Sequence, residues 1–99
     1  MKFLSEKIVT VVTAGTPVRL VADGHCKKVV LYNNYAESTS SVFAVGKSAT
    51  VDANSTPPVG AVIAGMESVS IEVDGDPENI YVDSNVVTNG SATVHYFGD

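Results

Sequence analysis

Apolar residues along this chain fall in short runs or strict alternation, broken every 8–12 residues by Gly, Pro, Asn or Asp, and no stretch keeps a helical period for three turns. That rhythm predicts an all-β domain built from short strands. The cleanest alternation is 67–73, with Val69, Ile71 and Val73 inward and Ser68, Ser70 and Glu72 outward. Residues 92–97 repeat the pattern, with Ala92, Val94 and Tyr96 on one face and Thr93, His95 and Phe97 on the other. Val29-Val30-Leu31 is apolar on both phases, as in a central strand covered on both sides.

The remaining strands are expected over 8–13, 18–22, 27–32, 42–45, 61–64 and 80–82, with Ile80 and Val82 inward and Tyr81 outward. Residues 49–51 read as a hairpin partner of 42–45 around Gly46-Lys47-Ser48, and 85–89 as a short piece before an Asn89-Gly90 turn. Ala14–Pro17, Asp23-Gly24 and Asp74–Pro77 read as turns, and 52–60, with two consecutive prolines, as a rim loop. Eight or nine short strands fit a jelly-roll-like antiparallel β-sandwich of about eight strands better than a seven-stranded immunoglobulin-like one. The expected organisation is an N-terminal arm over 1–7 and a single sandwich domain over 8–99.

With 44% hydrophobic residues and no tryptophan, the core must come from Val, Ile, Leu and Ala. A net charge of −5 argues against nucleic acid as a partner. The charge is unevenly spread: residues 1–49 hold six Lys or Arg and three acids (+3), whereas 50–99 hold eight acids and no base (−8). Two readings stand, a solvated acidic rim, or complementary edges that pair copies of the chain or hold a cation site between them. No apolar run approaches a membrane span, and 8–12 is too short for a signal-peptide core, so the expectation is a soluble chain made in the cytosol.

Little in the chain suggests catalysis. Cys26 precedes an apolar run and reads as a buried thiol; its neighbour His25 points to the opposite face on a strand, and His95 reads as a sheet-face histidine. Asp74, Asp76 and Glu78, with Asp83 nearby, have the alternate spacing of a calcium loop, but the full EF-hand pattern is missing; a plain acidic turn and a calcium site both remain readings. No enzyme activity and no cofactor are expected. Tyr32, Tyr35, Tyr81, Tyr96 and Phe43 offer aromatic surface, with Tyr96 and Phe43 assigned to the core and Tyr81 to an exposed contact.

The phrases AGTPVRL (14–20), KKVVLYNN (27–34), VFAVGKSATVD (42–52), ESVSIEVDGDPENIYVDSN (67–85) and ATVHYF (92–97) occur in this order. Together they resemble small virion structural proteins of tailed bacteriophages, over roughly 8–97. In that group a glycine usually precedes the Glu of the ES strand, where this chain has Met66 between Gly65 and Glu67. The resemblance implies a virion protein without enzymatic activity: a head decoration (cement) protein that stabilises the capsid, often as a homotrimer, bound to the major capsid protein. A tail or baseplate accessory protein bound to a tail protein is the first alternative. A carbohydrate-binding module for host-surface glycan is the second. On the decoration reading Lys2, Phe3, Leu4 and Lys7 form an arm that orders on the shell, and Tyr81 is an interface candidate.

Overall fold

The computed structural model describes residues 1–21, 26–73 and 77–98, with only the backbone at Glu78. Among these described residues eight strands run in order: β1 (Lys2–Thr13), β2 (Val18–Arg19), β3 (Cys26–Tyr32), β4 (Phe43–Gly46), β5 (Ala61–Ile63), β6 (Ser68–Glu72), β7 (Tyr81–Ser84) and β8 (Thr88–Gly98). Two single-turn 3-10 helices, Glu37–Thr39 and Pro77–Asn79, lie in the connections. The strands form two four-stranded sheets, β1-β8-β3-β6 and β2-β7-β4-β5, in which every pairing is antiparallel. First pairs with last, second with seventh, third with sixth and fourth with fifth. This is the order produced by winding one long antiparallel ribbon into a jelly roll.

The core lies between the sheets and is dominated by valine. Val9, Val11, Val29, Leu31, Phe43, Val45, Ile63, Ile80, Val82, Val94 and Tyr96 are buried in one cluster. β-branched residues suit this arrangement because their restricted χ1 fits a pleated surface. The inward assignments of Val69, Ile71, Val73, Ile80, Val82, Ala92, Val94 and Tyr96 hold, and β3 is central, between β8 and β6. Phe43 and Tyr96 are core residues, and Cys26 is buried beside them.

Several local expectations are corrected. The first strand begins at Lys2 rather than Ile8, so 1–7 is not an arm: Lys2 to Lys7 pair with β8. A register shift between Phe3 and Ser5 makes Leu4 the extra residue of a bulge and hides the strand from a period-two reading. The partner of β4 is β5, not 49–51, which form a turn. Asn89-Gly90 lies inside β8 with Gly90 opposite Val11, and Asn89 takes φ 53° within the ladder rather than turning the chain. Asp23-Gly24 and His25 lie outside the described residues. Met66 adopts φ 65°, the left-handed conformation that glycine, expected here from the resemblance, takes without strain. Gly65 is itself required, because a Cβ there would lie 2.8 Å from the Tyr35 carbonyl oxygen.

Candidate functional site

The two sheets treat their outer faces differently. On the second sheet, Ala44 and Asp83 stand opposite each other in β4 and β7 and are both fully buried, although their phase points away from the core. The segment between β4 and β5 covers them. Its Val51 and Ala53 are buried, and a bridge between Asp52 and Val59, with 2.9 Å bonds in both directions, pins it. Gly46 and Gly60 admit Val51: an added Cβ would lie 2.9 and 3.2 Å from its Cγ1.

Asp83 is the polar anchor of this cover. Its Oδ1 accepts from the Gly15 N–H at 2.9 Å, and its Oδ2 accepts from the Ala53 N–H at 2.8 Å and from Asn54 Nδ2 at 3.3 Å. The carboxylate therefore ties the β1–β2 turn to the cover segment. Asn33, just past the end of β3, does similar work. Its Nδ2 donates to the carbonyls of Ser41 (2.9 Å) and Ile63 (3.0 Å), and its Oδ1 accepts from the Tyr35 N–H (3.0 Å). A buried polar group without such partners would destabilise the fold, and no buried side-chain nitrogen or oxygen among the described residues lacks one.

Among the described residues the first sheet has no comparable cover. Strand register arranges its outer face in rows. One runs Phe3, Phe97, Lys28, Glu72; the next Glu6, His95, Val30, Ser70; the next Ile8, Thr93, Tyr32, Ser68. The rings touch across rows: His95 lies 5.4 Å from Phe3, edge to face, and 4.9 Å from Tyr32, while Phe3 and Phe97 meet edge to face at 5.7 Å. Such geometries exploit the ring quadrupole. Lys28 Nζ stands 5.0 Å from the centre of Phe97, and Glu6 Oε1 is 2.8 Å from His95 Nε2. Val30, in the centre of this face, is buried beneath its neighbours. Phe3 (53% exposed) and Ile8 (60%) extend the apolar surface into solvent. Beside it a cleft of about 240 Å3 is lined by Ile8, Asn34, Tyr35, Ser91, Ala92 and Thr93.

The structure divides the interface residues expected from the sequence. Phe3 joins the aromatic face. Lys2 sits at the start of β1 opposite Gly98. Leu4 packs against the core, and Lys7 follows the core phase opposite Val94, half-buried at the sheet edge, so neither belongs to the face. Tyr81 lies on the other sheet, half-buried, with the Arg19 guanidinium 5.4 Å from its ring centre. Tyr32, expected as aromatic surface, lies on this face; His95, Phe97 and Lys28 were not expected as site residues, although the alternation of 92–97 already set His95 and Phe97 outward together. Asp74, Asp76 and the Glu78 side chain lie outside the described residues. Asp83 is occupied as an internal anchor and does not belong to a surface acidic turn. Among the described residues no group of three or more His, Cys, Asp or Glu is placed to hold a metal ion, and no helix is long and apolar enough to cross a membrane. No protein-family model, curated protein or solved structure matches the chain.

Proposed function

We propose that this protein is a virion structural protein of the head-decoration type, docking on a capsid through the outer face of the first sheet. The observation that carries the reading is the asymmetry of the two faces. The chain closes one sheet with its own segment and, among the described residues, leaves the other as an aromatic surface around Phe3, Tyr32, His95 and Phe97. Aromatic anchors ringed by polar groups are typical of binding surfaces rather than of solvated sheet faces. The ordered strand phrases that resemble phage virion proteins supply the choice of partner. Binding only to the assembled shell stabilises that shell by mass action.

The cleft beside the rings favours a second reading, a carbohydrate-binding module. Asn34 Nδ2 donates to Thr93 Oγ1 at 2.6 Å there, and the Tyr35 hydroxyl accepts from the Ser91 N–H at 3.3 Å. A ring platform next to amide and hydroxyl groups suits a sugar with one apolar face. Co-sedimentation with expanded and unexpanded tailed-phage heads, run beside a glycan array, separates the two. Retention on expanded heads, weakened about 30-fold or more by Phe3→Glu, is the expected result for a central aromatic anchor. Glycan binding without head binding replaces the decoration reading with the carbohydrate one.

A further inference from the structure

Among the described residues four strand edges border the two sheets, and three of them are short. β2 spans two residues and β5 three, the latter following Pro57-Pro58. β6 spans five and turns Ser68, Ser70 and Glu72 outward. Short, polar or proline-flanked edges are how sheets avoid pairing with other chains. β1 is the long exception: it spans twelve residues, and past its bulge at Leu4 and the core-phase Lys7 its outward side chains include Ile8 and Val12, each 60% exposed.

From this edge we infer that two copies of the chain pair through β1, antiparallel about a two-fold axis at Thr10, and join their first sheets into one eight-stranded sheet. A two-fold axis normal to the sheet keeps outward residues opposite outward residues. A centre at Glu6 or Lys7 would set like charges against each other. A centre at Val9 would set Glu6 opposite Val12 and Lys7 opposite Val11. A centre at Thr10 sets Ile8 opposite Val12 of the second copy, and Val12 opposite its Ile8, with Lys7 opposite Thr13 and no charged residue facing another. Other centres, such as Val9, also keep charges apart, but only the Thr10 centre sets the two exposed apolar side chains, Ile8 and Val12, opposite each other in both directions. The inference rests on the edge alone and stands independently of the decoration reading; it replaces the trimer implied by the resemblance with a dimer.

Light scattering on a sizing column, combined with cysteine cross-linking, tests it. Opposed residues in antiparallel strands have Cα atoms about 4.5–5.5 Å apart, within disulfide reach. Thr10→Cys is therefore expected to give a covalent dimer under mild oxidation, whereas Ser70→Cys on the β6 edge gives none; the native Cys26 is buried and does not compete. The unmodified protein is expected at two chain masses. Val12→Lys, at an exposed position, is expected to weaken the dimer about tenfold or more while preserving the circular dichroism spectrum. Thr10→Cys still decides the question should Val12→Lys fail to fold. A monomer at the highest soluble concentration, a trimer, or a dimer that Thr10→Cys does not trap overturns the inference.

Discussion

Replacing Asp83 with alanine tests whether one buried carboxylate holds the cover of the second sheet. Asp83 is completely buried and accepts three N–H groups, two from backbone and one from Asn54. The three are not equal in consequence. Gly15 and Asn54 are exposed residues, and their N–H groups turn to water when the carboxylate is gone. The Ala53 N–H is buried and would be left without an acceptor. An orphaned buried donor costs about 1–3 kcal/mol, and loss of hydrogen bonds to a charged group adds to it, offset in part because no carboxylate need be desolvated. The net expectation is a loss of about 2–3 kcal/mol. At about 4–8 °C per kcal/mol for a domain of this size, the melting temperature falls by roughly 10–20 °C. Asp83→Asn keeps one carbonyl acceptor but turns an NH2 toward a donor, so it lies between alanine and wild type. Urea unfolding followed by circular dichroism gives the stability, and limited proteolysis reports whether the segment from Asp52 to Gly60 detaches locally. A loss under about 0.5 kcal/mol with no new cleavage in that segment would refute the anchor argument.

Two further predictions use the same structure. Gly60→Ala combines φ 113° with a Cβ 2.9 Å from the Val45 carbonyl oxygen, whereas Gly15→Ala has φ 85° but no atom nearer than 3.9 Å; chemical denaturation should show about 1 kcal/mol lost for Gly15→Ala and clearly more for Gly60→Ala. Cys26 is buried, with its Sγ 3.3 Å from the Lys28 carbonyl, so a thiol reagent should modify it only at the rate at which the fold opens, and immediate labelling of native protein would contradict its placement.

The sequence was legible wherever a strand has one buried and one open face. There the side-chain period maps directly onto burial, as in β6 and β8. It failed where tertiary structure breaks that period. β1 starts six residues earlier than alternation suggests because the bulge at Leu4 resets the phase. Phe3, Glu6 and Ile8 thereby come to one face although their spacing fits neither strand nor helix. Asp83 defeated local reading for a different reason: alternation sets it outward correctly, but the segment that buries it is more than twenty residues away in sequence. The aromatic face was half visible, since His95 and Phe97 lie together on one strand face. Its completion by Phe3 and Tyr32 depends on which strands flank β8, a fact of jelly-roll topology rather than of any local pattern.

The open face and the open edge do not compete for space, because a partner resting on the first sheet approaches along its normal while a second copy approaches in its plane. In the proposed pair, a two-fold axis normal to the sheet leaves both aromatic faces on the same side of the joined sheet. Each copy then offers the same row of Phe3, Phe97 and Lys28 to one surface. A repetitive shell would meet two sites at once, and the second contact would form at the effective concentration set by a rigid sheet rather than by free diffusion. Individually modest contacts are sufficient under those conditions. The coupling is itself checkable: if face and edge cooperate, Val12→Lys weakens attachment to heads although residue 12 lies outside the aromatic rows, whereas attachment unchanged by Val12→Lys, with the dimer lost, would show that each copy docks alone.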